Sequence, residues 1–123
     1  MERLAQLRDA MIDAGFELLA LVPGPSLRYL TGLQFHLSER PLVLVVPQRA
    51  RPVLVLPELE RPRAKALECD IVTYSDATGP TSAFKAAAAV LPPGRLGVEG
   101  RSLRFMELEL LAQAGIGDER IDA

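Results

Sequence analysis

The sequence has little of what disulfides, metal sites and membrane spans require. It contains one cysteine, Cys69, one histidine, His36, and no tryptophan. A single cysteine excludes an internal disulfide and is compatible with a reducing compartment. No apolar run reaches the roughly 18 residues of a membrane span, and charged residues such as Arg8 and Asp9 interrupt the stretch where a signal peptide needs its apolar core. The sequence therefore predicts a soluble, cytoplasmic protein without a membrane partner.

A strong charge of either sign is also missing. The net charge is −2, which gives no electrostatic reason to expect nucleic acid as a partner. The composition, 49% hydrophobic and 24% charged, is that of an ordinary globular protein. A chain of 123 residues fits one domain and can bury a core without disulfides or metals.

Apolar spacing alternates between helical and extended periods along the chain. Only five residues separate the second and third predicted strands, which is too short for a parallel crossover, so these strands form an antiparallel hairpin. The pattern predicts a single α/β domain with a mixed sheet of five to six strands, flanked by helices and containing this embedded β-hairpin. The predicted helices are 3–14, a short turn at 27–30, 58–67, 80–91 and 103–114, and the predicted strands are 16–22, 42–46, 52–56, 70–74, 95–99 and 119–123.

Two serines precede predicted helices and are suited to cap them. Ser26 follows Pro-Gly-Pro at the end of the first strand, and Ser102 precedes an apolar helical pattern that ends at Gly115. Serine is a favoured N-cap residue because its hydroxyl accepts a bond from a free backbone N–H of the first turn. We therefore predict side-chain caps at both positions.

Catalytic chemistry finds no support in the residue pattern. A metal site needs several clustered carboxylates and usually histidine, and neither paired histidines nor Cys-x-x-Cys spacing occurs. Acidic residues on predicted helices, such as Glu107 and Glu109, are interpreted as solvated charges. No Gly-x-Ser-x-Gly, Gly-x-Gly-x-x-Gly or Walker pattern is present. We expect Cys69 to be a partly buried, unreactive thiol, because its acidic neighbours raise the pKa of a thiol. The chain is thus expected to hold no catalytic residue and no metal ligand.

Two segments remain as candidates. The first, residues 28–32, is interpreted as a structural turn that places Tyr29 and Leu30 in the core. The second is the loop from Phe35 to Arg40, in which an aromatic ring, a histidine and an ion pair lie between strands. Binding residues are enriched in loops. From chemistry alone, a solvated loop with an exposed His36 is an equally open interpretation.

The N-terminal amphipathic helix, the strand at 18–22 and five short motifs after them, in this order along the chain, resemble the N-terminal domain of the creatinase/prolidase/aminopeptidase P family. Residues 25–32 (Pro-Ser-Leu-Arg-Tyr-Leu-Thr-Gly) are similar to the family's Pro-x-Asn-x-x-Tyr-Leu-Thr-Gly, with Ser26 near the position where asparagine is usual. The other motifs are 39–40 (Glu-Arg), 57–60 (Pro-Glu-Leu-Glu), 74–76 (Tyr-Ser-Asp) and 96–100 (Leu-Gly-Val-Glu-Gly). The resemblance covers nearly the whole chain.

The resemblance implies a ribonuclease-H-like α/β fold and a role as a non-catalytic N-terminal lobe, residues 1–123. In such enzymes a C-terminal "pita-bread" lobe holds two divalent metal ions, manganese or cobalt, on two Asp, one His and two Glu. That lobe is expected beyond residue 123, because the chain stops inside a predicted strand, although a natural C-terminus is the alternative. The parent protein is implied to hydrolyse Xaa-Pro peptide bonds. The lobe is implied to contact a second subunit, as in a homodimer, and to cover the substrate cleft.

The resemblance also places the loop beside the substrate, with Phe35, His36, Glu39 and Arg40 as the substrate-proximal residues. An arginine can hold a peptide carboxylate by two parallel hydrogen bonds, so we expect Arg40 and His36 to shape the pocket for a proline-containing peptide. The prolidase, aminopeptidase P and creatinase branches stay open. The alternative from another class is a free-standing α/β module that binds a small ligand. A nucleic-acid-processing domain ranks last because the strands carry almost no acidic residues.

Overall fold

Helices and strands alternate along the chain, as the apolar spacing predicts. The computed structural model describes residues 2–117 and 119–122. The α-helices are α1 (Glu2–Ala14), α2 (Pro25–Thr31), α3 (Pro80–Ala89) and α4 (Phe105–Ala114), and a 3-10 helix spans Glu58–Ala64. The strands are β1 (Leu18–Leu21), β2 (Val43–Pro47), β3 (Val53–Pro57), β4 (Asp70–Tyr74), β5 (Arg95–Val98) and β6 (Glu119–Asp122). No helix among these residues is long and apolar enough to cross a membrane.

The six strands form one mixed sheet in the order β4-β3-β2-β1-β5-β6. The predicted hairpin is confirmed: β2 and β3 pair antiparallel, with Leu44 opposite Leu54. Strand β2 is also antiparallel to β1, whereas the β1–β5, β3–β4 and β5–β6 pairs are parallel. Five strands therefore point the same way, and their carboxyl ends meet at one edge of the sheet together with the start of β2. We call this the carboxyl edge.

Both faces of the sheet are covered, which explains why its central strands are continuous apolar runs. On one face, Leu18, Val45 and Val55 belong to a core shared with α3 and α4. On the other face, Leu19 and Leu44 belong to a core shared with α1, α2 and the 3-10 helix. Neighbouring residues of one strand enter opposite cores because side chains alternate across a strand.

Neither predicted serine cap forms. A glycine precedes α2 and no side chain caps that helix; the hydroxyl of Ser26 instead donates to Glu99 Oε2 at 2.6 Å. Helix α4 begins two residues later than a cap at Ser102 predicts, and Arg104 occupies its N-cap position. There the Glu107 carboxylate accepts the backbone N–H of Arg104 at 2.8 Å, which is the contact from position N3 back to the N-cap residue in a capping box.

The predicted helix 58–67 is wrong in type and length. The segment is a 3-10 helix that ends at Ala64, with Pro62 inside it. Proline has no N–H to donate and disfavours the α-conformation in the residue before it, so the tighter and shorter helix is the one this sequence supports. The last predicted strand is confirmed over Glu119–Asp122, and Ala123 lies outside the described residues.

Candidate functional site

The five short motifs of the resemblance all lie at or next to the carboxyl edge. Residues 22–32 follow β1, residues 57–60 follow β3, residues 74–76 end β4, and residues 98–100 end β5. The loop 35–42 enters β2 at the same edge. The parallel strands thus bring together residues that are up to 75 positions apart in sequence. This convergence makes the carboxyl edge the candidate functional site.

Phe35 anchors the loop and does not face solvent. Its side chain is buried in the core beneath α1 and α2, at 5% exposure. The guanidinium of Arg63 lies 5.1 Å from the centroid of its ring and also donates to the carbonyl oxygen of Gln34. A cation over an aromatic face is attracted by the ring quadrupole. The 3-10 helix therefore fixes the start of the loop.

Arg40 fixes the other end of the loop through a partner that local sequence could not reveal. Its Nε and Nη2 donate to Oδ1 and Oδ2 of Asp76, both at 2.8 Å. This fork-shaped pair raises the pKa of the Arg40 guanidinium and lowers the pKa of the Asp76 carboxyl below its ordinary value, through the hydrogen bonds first and their charges second. Glu39 lies farther away, 3.7 Å from Arg40 Nη1, and is largely exposed.

A buried hydrogen bond reinforces the same junction. The hydroxyl of Tyr74, at the end of β4, donates to the carbonyl oxygen of Pro41 at 2.6 Å. Burial raises the pKa of the Tyr74 phenol, so the group stays a neutral donor. Two independent contacts, one charged and one neutral, therefore tie the loop to β4.

His36 is exposed, like Glu39. Its side chain has no hydrogen-bond or ion-pair partner among the described residues, and it lines two neighbouring depressions. One depression contains Arg28, and the other contains Arg40. The structure thus brings His36, Glu39 and Arg40 to the surface of the carboxyl edge and places Phe35 in the core.

The interpretation of residues 28–32 is half correct. Leu30 is buried as predicted, but Tyr29 is 60% exposed. The ring of Tyr29 is covered by the guanidinium of Arg3, 4.7 Å from the ring centroid, and its carbonyl oxygen accepts a bond from Arg3 Nη1 at 2.7 Å. Adjacent positions of a helix cannot both face the sheet, which is why only one of the two residues enters the core.

An apolar groove lies between α1, α2 and the sheet, with a volume of about 550 Å³. Its walls include Leu7, Met11, Phe16 and Leu30, and Glu99 lies at one end. Volumes of this size with mostly apolar walls and few polar groups are typical of small-molecule pockets. Sequence reasoning missed the groove because its walls come from four separate elements.

Glu107 is the clearest disagreement between sequence and structure. It is fully buried, although its position on a helix predicts a solvated charge. Its carboxylate accepts hydrogen bonds from three donors of Arg104: the backbone N–H, Nε and Nη2. The pair closes the start of α4, next to the carboxyl edge. A buried carboxylate needs such a partner because its desolvation is otherwise too costly.

The thiol of Cys69 is buried, as the sequence predicts. Its pKa is raised chiefly by this burial; Asp70 raises it further, and Arg51 acts in the opposite direction. Among the described residues no group of three or more His, Cys, Asp or Glu side chains could hold a metal ion. The described residues therefore do not fit the dinuclear metal centre that the resemblance places in the other lobe.

The mixed six-stranded sheet, its embedded hairpin and the loops gathered at its carboxyl edge define an α/β lobe of the type the resemblance implies. The profile of the family described as the Creatinase/Prolidase N-terminal domain matches residues 3–123, and the chain belongs to this family. The N-terminal domain of an X-Pro dipeptidase from Streptococcus pyogenes superposes with a TM-score of 0.84 at 28% identity, covering 98% of this chain and 92% of that one.

Longer relatives match over part of their length. The protein named "Probable dipeptidase PepE" of Mycobacterium tuberculosis is 38% identical over 72% of this chain and 26% of its own length. The dipeptidase PepE of Mycobacterium ulcerans superposes with a TM-score of 0.76 at 30% identity, over 94% of this chain and 32% of that one. This chain thus spans about a quarter of the length of the curated relatives it matches.

Proposed function

We propose that this chain is the N-terminal lobe of a metal-dependent Xaa-Pro dipeptidase of the prolidase type and is not catalytic by itself. The observation that carries the proposal is the convergence of the five short motifs at the carboxyl edge of a fold shared with dipeptidase N-terminal domains. In the parent protein, this edge covers the substrate cleft. The aminopeptidase P type is the nearest alternative within the family.

The loop from Phe35 to Arg40 supplies the wall of that cleft. Phe35 and Arg63 hold the start of the loop, and Asp76 holds Arg40 at its end, so the exposed His36 between them has a defined position. Asp76 occupies two of the five N–H donors of Arg40, and the other three remain available to the backbone of a bound peptide. Glu39, exposed beside Arg40, adds a negative charge at the rim.

The catalytic lobe of the parent protein would hold the two divalent metal ions, manganese or cobalt, and they would supply Lewis acidity for hydrolysis there. The residues described here contribute shape and charge to the cleft from outside. The parent protein is cytoplasmic and forms a homodimer, in which the lobe of one subunit also faces the other.

The first test is to read the gene beyond the codon for Ala123 and express the complete reading frame. We expect a catalytic segment with two Asp, one His and two Glu, and manganese-dependent hydrolysis of Ala-Pro. The paired substitution His36→Ala and Arg40→Ala should raise the KM for Ala-Pro with a smaller effect on kcat, because the loop acts in binding. An unchanged KM in this double variant refutes the role of the loop. A stop codon after Ala123 refutes the parent enzyme.

The apolar groove supports a second candidate, a free-standing module that binds a small ligand. A ligand that binds only the folded state stabilises it by mass action. Thermal denaturation of the 123-residue chain with a panel of apolar metabolites and peptides tests this candidate. A saturable rise in Tm that Met11→Trp abolishes supports a ligand site in the groove; no rise across the panel counts against it.

A further inference from the structure

A second depression at the carboxyl edge has a different character from the apolar groove. It encloses about 700 Å³ between the start of α1, α2 and the loop, and we call it the basic depression. Three basic side chains line it, Arg3, Arg28 and His36, and none of its described lining residues is acidic. The described lining therefore carries basic side chains and no carboxylate, although the net charge of the chain is −2.

The three basic side chains differ in whether a described residue pairs with them. Arg3 is committed to Tyr29, through the carbonyl oxygen and the ring. Arg28 and His36 are exposed and have no side-chain partner among the described residues. Most arginines of this chain are paired; Arg101 is the other one whose described side chain lacks a partner, and it does not line this depression. Arg28 is therefore the unneutralised guanidinium of the basic depression.

We infer that the basic depression binds the carboxylate of a short peptide, with Arg28 as the principal ligand and His36 beside it. The inference rests on the proposed function, since it names how the edge facing the cleft would recognise its substrate. A guanidinium offers a planar fork of donors that matches a carboxylate. On Arg40 that fork is already used by Asp76, whereas on Arg28 it is free. His36 lines both depressions, so a peptide bound by Arg28 lies against the predicted loop.

The binding test uses the 123-residue chain and nuclear magnetic resonance of its arginine Nε–H and histidine ring signals. The probes are Ala-Pro with a free carboxylate and Ala-Pro amide. We expect the free acid to shift the Arg28 and His36 signals saturably and the amide to leave them unchanged. Arg28→Gln should abolish the response, and Arg101→Gln, which removes the same charge from an unpaired arginine elsewhere, should retain it. Equal shifts with acid and amide, or a response that survives Arg28→Gln, overturn the inference. Acetate matching the affinity of the peptide also overturns it, because the site would then recognise any carboxylate.

Kinetics of the complete protein separate this inference from the proposed function. If the complete protein hydrolyses Ala-Pro, Arg28→Gln should raise KM roughly tenfold or more, the effect of losing one charge-assisted bond, while Arg101→Gln leaves it unchanged. Hydrolysis with an unchanged KM in Arg28→Gln refutes the inference alone. Absence of hydrolysis refutes the proposed function, and the chain's response to free acid against amide then still decides whether Arg28 binds a peptide carboxylate.

Discussion

Replacing Glu107 by alanine tests the least expected contact of this fold. Glu107 is completely buried, and its only described polar partner is Arg104, which donates its backbone N–H at 2.8 Å and its Nε at 2.8 Å. The substitution removes the acceptor that closes the first turn of α4 and leaves a guanidinium without its counter-charge. Both losses fall on the start of one helix, so the effect should be local in origin and large in size.

The magnitude follows from the burial of the two partners. Breaking a buried ion pair on one side costs about 3–5 kcal/mol. The side chain of Arg104 is 32% exposed, so water recovers part of that loss and the lower end applies, about 3 kcal/mol. An unfolding entropy of about 2.1 cal/mol/K per residue makes 1 kcal/mol equal to about 4 °C for a chain of this length. We therefore expect Glu107→Ala to lower Tm by about 12 °C.

Thermal and urea denaturation measure this change, with two comparison variants. Glu107→Gln keeps the volume and an acceptor for the backbone N–H, so its cost should be intermediate, about 1–2 kcal/mol. Glu109→Ala alters an exposed carboxylate of the same helix, which accepts only from Gln113 at 3.2 Å, and should change stability by less than about 0.5 kcal/mol. If Glu107→Ala lowers Tm and the free energy of unfolding by no more than Glu109→Ala does, the reasoning about burial and capping is wrong.

Three further substitutions probe the loop and the sheet. Tyr74→Phe leaves the buried carbonyl of Pro41 without its donor and should cost about 1–2 kcal/mol in urea denaturation; an unchanged midpoint would show that this bond contributes nothing. Gly97→Ala places a Cβ 2.8 Å from a buried aromatic ring and should cost about 1–3 kcal/mol; a stability equal to that of the parent chain would mean that the ring moves freely. Arg40→Gln should raise the pKa of Asp76, followed by carboxyl resonance titration. Because the pKa of Asp76 is lower in the folded state than its ordinary value, this exposed pair stabilises the fold above the ordinary carboxyl pKa. That stabilisation is lost as the pH falls through the folded pKa of Asp76. An Asp76 pKa that does not change in Arg40→Gln would contradict the pairing.

Local patterns predicted the elements of this fold well because the central strands are buried on both faces. Continuous apolar runs such as Val43–Pro47 and Val53–Pro57 are too short to be helices of their own, and the short link between them allows only a hairpin. The predicted mixed sheet of five to six strands is confirmed, with six. The loop was located correctly because it has no period.

Contacts between distant residues could not be predicted from local patterns. Asp76 lies 36 positions from Arg40, and only the parallel pairing of β3 with β4 brings its loop to the carboxyl edge. The sequence predicts that Glu107 is a surface residue, because helix periodicity does not reveal that its carboxylate is buried against Arg104. Ser26 reads as a cap, but Glu99, 73 positions later, offers its hydroxyl a charged acceptor. In each case a tertiary partner outweighs the local preference of the residue.

The central position of β1 in the sheet has a consequence for the order in which the protein can fold during synthesis. Its neighbour β2 follows closely in sequence, but its other neighbour, β5, is made only after residues 22–94. At ordinary translation rates of about 5–20 residues per second, this interval lasts about 4 to 15 s. Throughout it, Leu18–Leu21 presents a fully apolar strand with at least one unpaired edge, the feature that promotes pairing between chains. The nascent chain is therefore most vulnerable to aggregation before Arg95–Val98 has emerged, and a chaperone that binds extended apolar segments would act in that window.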